Sequence, residues 1–305
     1  SYLESTYRVI DSLQLEQERA MVDAATKQRR GTAPAEWEHF RHRLVLSTLT
    51  GKDLSLKAAP HAPLRPHHLT FLRLLEKIVN GATVTIDPSA TSLTYRPGVL
   101  VGGDRLVHDC GADADRDLGY YIEPLLVLAL FAKKGLSITL RGVTNGAADV
   151  GVDTLRTVSL PLLRLFGVHE GAQLRVLKRG APPRGGGEVA LTLPALRQLT
   201  PLSATDPGRV KRVRGIAYAT KVAPQMVNRL VESSRGVLNQ FLPDVWIYTD
   251  VHKGASSGAS PGFAVTLVAE STNGSLLSAE VAAVGGAQPE EVGLAASAAL
   301  LEQIR

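Results

Sequence analysis

The sequence predicts an α+β protein assembled from repeated units, each of which buries one face of its helices on a sheet. Two observations lead to this prediction. A helical segment followed by a pair of alternating strands recurs at least twice along the chain. Such hairpin-like strand pairs also outnumber the single strands between helices, which argues against a doubly wound parallel sheet. The hydrophobic fraction of 44% is ordinary for a folded core.

The individual elements follow from apolar periodicity and from the residues that end each run. A helix is predicted over 3–30, where basic residues at its end suit the helix dipole. An amphipathic helix over 69–79 ends at Asn80-Gly81, a favourable C-cap, and precedes two alternating strands over 82–86 and 92–95. Further helices are predicted over 120–131, 153–166, 224–241 and 290–304, and further strands over 54–57, 136–140, 174–177, 189–193, 210–219, 245–250, 263–270 and 276–281.

The order of these elements divides the chain into four segments. Residues 1–36 hold five basic and six acidic residues, against 29 and 23 in 37–305, and are predicted to be an appended N-terminal helix. Residues 37–195 are predicted to form a large domain. After a loop rich in Thr, Pro and Ser, residues 196–262 are predicted to form a small inserted αβ domain. Residues 263–305 are expected to return to the large domain, with the last unit incomplete because a helix ends the chain.

Composition excludes several classes of protein. A single cysteine, Cys110, cannot form an internal disulfide or a cysteine-based zinc site. The longest apolar run, 122–132, contains Glu123 and is too short to span a bilayer, so we expect no membrane partner. The net charge of +5 is compatible with an RNA or an acidic protein partner, although a solvated basic surface is the simpler explanation.

Catalytic motifs are missing from the sequence, and its candidate chemistry rests on basic residues. The spacings HExxH, GxSxG and GxxxxGK[ST] do not occur, and the eight histidines have no metal-ligand spacing. We therefore predict no catalytic residue, no metal and no cofactor. Gly185-Gly186-Gly187 between two strands is typical of a tight turn, although the neighbouring Lys178, Arg179 and Arg184 leave anion binding open.

The densest basic cluster lies on the strand predicted over 210–219. Alternation places Arg212 and Arg214 on one face of this strand, with Arg209 and Lys211 on the other. Guanidinium groups suit phosphate oxygens because their fork donates two parallel charge-assisted hydrogen bonds. A contact with RNA or an acidic partner and a solvated strand face both fit this pattern.

Nine stretches occur along the chain in the order of one known family. They are RHRLVLSTLTG at 41–51, FLRLLEKIVNG at 71–81, YRPGVLVGG at 95–103, RGVTN at 141–145, PLLRLFG at 161–167, KRGAPPRGGGEV at 178–189, RVRGIAYA at 212–219, PDVWIYTD at 243–250 and SPGFAVTLVAEST at 260–272. Together they resemble the RNA 3′-terminal phosphate cyclase family, most closely its cyclase-like branch in small-subunit ribosome biogenesis. The resemblance covers about residues 40–305 and leaves 1–36 unmatched.

The resemblance implies a large domain of repeated units, each with two helices on a four-stranded sheet, plus a small inserted αβ domain. It also implies that Arg41 and Arg65 correspond to arginines that line the family's substrate pocket. True cyclases adenylylate a histidine near the C-terminus, and no histidine follows His252 in this sequence. The family's Gly-rich EGGGQ-type segment is replaced by AEWEHF at 35–40. Adenylate-dependent cyclisation is therefore not expected.

The resemblance implies that the protein is a non-catalytic assembly factor of the small-subunit processome that acts in 18S rRNA maturation. Its expected location is the nucleus, in the nucleolus. Its expected partners are a ribosome-biogenesis GTPase, pre-ribosomal RNA and small nucleolar ribonucleoprotein components. The candidate anion- or RNA-binding residues are Arg41, Arg43, Arg65, Lys178, Arg179, Lys211, Arg212 and Arg214. The alternative is an RNA-processing enzyme, either a pre-rRNA endonuclease or an RNA 3′-phosphate cyclase.

Overall fold

The computed structural model describes residues 37, 39–59, 61–111 and 115–305. The helix predicted over 3–30 and the appended segment 1–36 lie outside the described residues. Helices and four separate sheets make up the described part of the chain, which confirms the predicted α+β class. Within that part, no helix is long and apolar enough to cross a membrane.

The first described region packs two helices against a small antiparallel sheet. Its elements are α1 (Phe40–Thr50), β1 (Leu54–Lys57), α2 (Pro66–Ile78), β2 (Val79–Asn80), β3 (Thr83–Ile86), β4 (Ser92–Arg96) and β5 (Val99–Leu100). β3 and β4 form the predicted hairpin, β1 pairs with the other edge of β4, and β2 pairs with β5. The sequence pattern does not predict α1, because its buried face is only half apolar: Ser47 and Thr48 are buried there with Phe40 and Leu44, whereas Leu46 and Leu49 are exposed.

The second region is a four-stranded mixed sheet with helices on one face. Its elements are β6 (Gly103–Asp109), α3 (Leu118–Leu128), β7 (Leu136–Gly142), α4 (Val152–Thr154), a π-helical turn (Leu155–Ser159), α5 (Leu160–Leu165), β8 (Gln173–Lys178) and β9 (Gly187–Leu193). The strand order is β6-β7-β9-β8, with β6 parallel to β7 and the other pairs antiparallel. Alternate β7 residues such as Ile138 and Leu140 pack against the buried faces of the helices.

The third region is another four-stranded mixed sheet. It contains β10 (Val210–Thr220), α6 (Pro224–Leu238), β11 (Val245–His252), β12 (Gly262–Ser271), β13 (Leu276–Ala282) and α7 (Pro289–Ile304). The strand order is β11-β10-β12-β13, with β10 parallel to β11. α6 and α7 pack together on one face, where Val213, Ala217 and Val265 contribute to a separate core.

The third sheet extends across the domain boundary that was predicted between residues 262 and 263. β12 pairs with β10 from Thr220 opposite Gly262 to Val210 opposite Ser271, and β13 then pairs with β12. Residues 263–305 therefore complete the sheet that β10 begins, and they do not return to the sheet of β7. The order of elements alone gave no register, so the sequence could not show which sheet β12 would join.

Candidate anion-binding site

Arginine and aromatic side chains meet where α1, α2 and α3 converge. Arg41 extends from α1, and its Nη1 donates to the Tyr120 carbonyl oxygen at 2.7 Å and to Glu123 Oε2 at 3.0 Å. Its guanidinium carbon lies 4.2 Å from the centroid of the Tyr120 ring. A guanidinium over the face of an aromatic ring is attracted by the ring's quadrupole. These contacts fix the direction of Arg41.

Arg116 approaches the same aromatic ring from the segment that precedes α3. Its guanidinium carbon lies 5.2 Å from the Tyr120 centroid, and its Nη1 lies 3.4 Å from Asp149 Oδ1. Asp149 Oδ2 accepts the Asp117 N–H at 3.1 Å, while Asp117 Oδ2 accepts two N–H groups of the loop that follows β7. Burial raises the pKa of both carboxyl groups. This exchange of hydrogen bonds holds the loop, and with it the position of Arg116.

Two buried histidines lie in the first turn of α2, beside these arginines. Burial, followed by the charge of Arg116, lowers the pKa of His67 to about 4. Burial, followed by the neighbouring His67, lowers the pKa of His68 to about 3. Both rings are therefore neutral at pH 7. The Nδ1 of His68 accepts the Arg65 N–H at 3.1 Å, which places the proton of His68 on Nε2.

His67 keeps one ring nitrogen without a partner. Its Nδ1 is buried and makes no hydrogen bond to the described residues, since Asp115 Oδ2 lies 3.9 Å away. A buried polar atom left unpaired costs about 1–3 kcal/mol. The charges of Arg116, Arg65 and Arg41 lower the pKa of this ring, whereas the charge of Asp115 raises it, so the surroundings of His67 include a carboxylate as well as three guanidinium groups.

This arrangement suits an anion of the phosphate class. Arg65 is exposed at the N-cap of α2, whereas Arg41 and Arg116 are half-buried. A bound phosphate oxygen could accept hydrogen bonds from guanidinium groups, and the neutral His67 could donate to it or accept from it. The structure thus brings the two pocket arginines of the sequence analysis, Arg41 and Arg65, to one histidine and adds Arg116.

Two other predicted residues lie elsewhere. Arg43 is exposed on α1, and two helical residues correspond to a rotation of roughly 200° from Arg41. The structure therefore does not bring Arg43 to the site. Lys178, at the end of β8, lines a separate cavity of about 270 Å³ together with Arg141 and Glu188. Asp109 also lines this cavity, and Arg141 Nη2 lies 3.4 Å from Glu188 Oε1, so two carboxylates accompany the two cations there.

Arg179 is buried, which corrects its prediction as a residue available to RNA. Its side chain is 0% exposed, and its guanidinium binds Asp153 in the second region and Asp250 in β11. Nη1 also donates to Asn145 Oδ1 at 2.9 Å, and the guanidinium carbon lies 4.8 Å from the Tyr218 ring centroid. Burial alone would lower the pKa of Arg179, but the two carboxylates raise it. The side chain joins the two four-stranded sheets and has no surface left for an external anion.

The basic cluster of β10 is exposed but already paired. Lys211 Nζ lies 2.8 Å from Glu270 Oε1, and Arg212 Nη2 lies 2.5 Å from Glu270 Oε2. The pairing register shifts between Val210 and Arg212, and the side chains of Lys211 and Arg212 converge on one carboxylate despite strand alternation. Arg214 forms a two-point ion pair with Asp244, with nitrogen–oxygen distances of 2.8 and 2.9 Å.

Several residues that make these contacts were not predicted from the sequence as functional residues. Arg116, Tyr120 and Asp153 belong to segments that show no local motif, because they meet their partners only through the tertiary fold. Trp246 and Tyr248 did carry a signal, since aromatic residues two apart on a strand project from the same face. Within the described ranges, no group of three His, Cys, Asp or Glu side chains is arranged to hold a metal ion.

Comparison with known proteins places the chain in a family. The model of the RNA 3′-terminal phosphate cyclase family matches residues 37–290. The RNA 3′-terminal phosphate cyclase-like protein of Mus musculus is 49% identical over 275 residues, which cover 87% of this chain and 73% of that protein. The rRNA processing protein rcl1 of Schizosaccharomyces pombe is 47% identical over 273 residues, which cover 88% of this chain and 74% of that protein. The chain therefore belongs to the RNA 3′-terminal phosphate cyclase family.

Proposed function

We propose that this chain acts in rRNA processing, as a non-catalytic, cyclase-like factor in the maturation of 18S rRNA. The observation that carries the proposal is the high identity, over most of the chain, to relatives that are named rRNA processing proteins. The segment at 35–40, AEWEHF, lacks the Gly-rich EGGGQ-type sequence that the family's true cyclases carry. This departure favours a role that does not depend on adenylate chemistry.

The site formed by Arg41, Arg65, Arg116 and His67 supports such a role. Guanidinium groups beside a neutral, buried imidazole can bind a phosphate of the RNA backbone through hydrogen bonds. This binding does not require any of these side chains to act as a nucleophile. Positively charged contacts to phosphates supply affinity and position but little sequence information. We therefore propose that this site anchors precursor rRNA.

The proposed assembly is the small-subunit processome of the nucleolus. There the chain would bind a ribosome-biogenesis GTPase, precursor rRNA and small nucleolar ribonucleoprotein components. The basic body of the protein, with 29 basic and 23 acidic residues over 37–305, supports an RNA or acidic-protein partner of this kind.

Immunoprecipitation of the tagged protein from its own cells tests the proposal. We expect co-purification of precursor 18S rRNA and of a GTPase, together with nucleolar localisation by microscopy. Depletion of the protein should lower mature 18S rRNA relative to 25S or 28S rRNA. Recovery of neither precursor rRNA nor a GTPase, with unchanged 18S rRNA after depletion, would refute the proposed role.

A second experiment distinguishes the enzymatic alternatives. The purified protein is incubated with ATP and a 3′-phosphorylated RNA, and separately with precursor rRNA. We expect no covalent AMP adduct, no 2′,3′-cyclic end and no site-specific cleavage. An adduct or cyclic end would establish a cyclase, while cleavage that disappears in point variants of the site would establish an endonuclease.

A further inference from the structure

The sheet of β10 to β13 has one face without helices, and only half of that face is covered. In the covered half, Tyr218 and Asp250 contact Arg179, and Glu280 accepts a hydrogen bond from Asn145 at 2.8 Å. The other half includes Trp246 and Tyr248, whose residues are 55% and 57% exposed. Large aromatic side chains exposed together on a sheet are not explained by folding and point to a binding surface.

Strand alternation places the exposed rings on this open face. Val245 and Ile247 are buried in the core beneath α6 and α7, so the intervening Trp246 projects from the opposite side. Tyr248 projects in the same direction as Trp246. The two ring centroids lie 6.1 Å apart with an interplanar angle of 65°, so the rings form an adjacent pair on the edge strand β11.

The register between β10 and β11 adds cationic groups beside these rings. Arg214 lies directly opposite Trp246, and Arg212 lies two residues earlier on β10 and on the same face. Arg212 and Arg214 keep about two-fifths and one-third of their side chains exposed, although each is paired with a carboxylate. Exposed ion pairs contribute little to stability, so a phosphate can compete with their carboxylates at low cost.

These features favour single-stranded RNA over a folded protein as the occupant. Bases stack on aromatic rings, and arginines pair with phosphates, so a sheet that presents both groups has the chemistry of single-strand recognition. Protein interfaces are also enriched in Trp, Tyr and Arg, but they are depleted of Lys, Asp and Glu. Around Trp246 and Tyr248, the face carries three cations, Lys211, Arg212 and Arg214, and the carboxylates Asp244 and Glu270.

We propose that the open half of this sheet face binds single-stranded RNA, with bases stacked on Trp246 and Tyr248 and phosphates paired with Arg212 and Arg214. We refer to these four residues as the β10–β11 platform. The inference rests on the proposed role in rRNA processing and assigns it a second RNA-binding surface, separate from the site at α1, α2 and α3.

The test is fluorescence anisotropy with a short fluorescein-labelled single-stranded RNA of mixed sequence and with the same sequence as a duplex. The full chain is compared with the double variant Trp246→Ala/Tyr248→Ala. We expect the wild type to prefer the single strand and the double variant to bind it at least about tenfold more weakly, because each stacked base contributes substantially to affinity. Trp246→Phe, which keeps a ring, should bind more tightly than Trp246→Ala.

Phe241→Ala is the matched control, because Phe241 is 52% exposed and lies just beyond α6. This variant should bind the RNA like the wild type, and circular dichroism should show that all variants are folded. Wild-type affinity in the double variant would overturn the proposal. So would unchanged RNA binding with loss of a co-purified protein, which would assign the surface to a protein partner.

The outcomes for this surface and for the overall role can be separated. If the wild-type chain binds no single-stranded RNA but depletion of the protein still lowers 18S rRNA, the platform is refuted and the processing role stands. If the platform binds RNA but depletion leaves 18S rRNA unchanged, the processing role is refuted and the surface stands.

Discussion

Arg179, which follows β8 of one sheet, donates to Asp250 in β11 of the other sheet through Nε at 2.9 Å and Nη2 at 2.6 Å. Its other nitrogen, Nη1, bonds Asp153, so one guanidinium joins two carboxylates that belong to different sheets. Because the arginine is wholly buried, its charge is stabilised by these carboxylates, by Asn145 and by the ring of Tyr218. This residue is therefore the main ionic link between the two four-stranded sheets in the described part of the chain.

Replacing Arg179 by Ala should destabilise the protein strongly. The substitution removes Arg179 from the buried Asp153, which keeps its contact with Arg156, and it also removes the guanidinium partner of Asp250. Breaking one side of a buried ion pair typically costs about 3–5 kcal/mol. We expect a large fall in the midpoint of urea unfolding, measured by circular dichroism. Arg175→Ala, which removes an exposed arginine from the preceding strand β8, is the control and should change the midpoint little. Equal midpoints for the two variants would contradict the structural role of Arg179.

Replacing Arg65 by Ala should weaken anion binding without unfolding the chain. Arg65 is exposed, and hydrogen bonds to charged groups contribute about 1.5–3 kcal/mol, which corresponds to at least about a tenfold loss of affinity. Isothermal titration calorimetry with a 3′-phosphorylated ribonucleotide measures this loss. Arg43→Ala removes an exposed arginine from the other side of α1 and should leave the affinity unchanged. A tenfold loss in Arg43→Ala, with none in Arg65→Ala, would place the anion elsewhere.

The difference between Arg65 and Arg179 shows what could be predicted from the sequence. Periodicity and turn residues located most strands, and the family motifs directed attention to Arg41 and Arg65, which do lie near one histidine. Neither signal reports burial of a polar side chain, which depends on partners far apart in sequence. Arg179 and Asp250 are separated by 71 positions, so only the tertiary fold could show that Arg179 is internal.

The same reasoning explains the shifted boundary near residue 262. The predicted order of helices, strands and turns is the same whether a hairpin completes one sheet or begins another. The structure shows that β12 joins the sheet of β10, because the two strands are hydrogen-bonded along the length of β10. Ile216 lies opposite Thr266 near the middle of this pair. Residues of β10 and β12, such as Val213 and Val265, share one core with α6 and α7, and this long-range packing cannot be read from the order of the elements.

Acidification below about pH 6.5 should destabilise the protein through His67 and His68. Folding lowers the pKa of these side chains from 6.5 to about 4 and about 3, so the unfolded chain binds protons first as the pH falls. The free energy of unfolding therefore falls as the pH drops below about 6.5, down to about pH 4 for His67 and about pH 3 for His68, with a slope of up to roughly 1.4 kcal/mol per pH unit for each histidine. Urea unfolding at pH 7 and pH 5.5 measures this slope.

The variant His68→Gln tests the assignment, because glutamine at this position can still accept the Arg65 N–H while it cannot titrate. Its unfolding free energy should depend less steeply on pH than that of the wild type. His169→Gln, which removes an exposed imidazole, is the control. If His68→Gln and the wild type lost the same free energy between pH 7 and pH 5.5, His68 would not be the titrating group.

Glycine substitutions in two helices should have opposite effects. A Cβ added at Gly119 in α3 would lie 1.8 Å from the Val150 carbonyl oxygen, a backbone atom of the loop that positions Arg116 through Asp149. Since this atom cannot rotate away, Gly119→Ala should lower the free energy of unfolding by about 1–3 kcal/mol or more. Gly236 in α6 has no atom within 4 Å of such a Cβ, so Gly236→Ala should raise it by about 0.5–1 kcal/mol. Unfolding midpoints measured side by side check both signs, and a stabilised Gly119→Ala variant would mean that α3 does not pack on this loop as described.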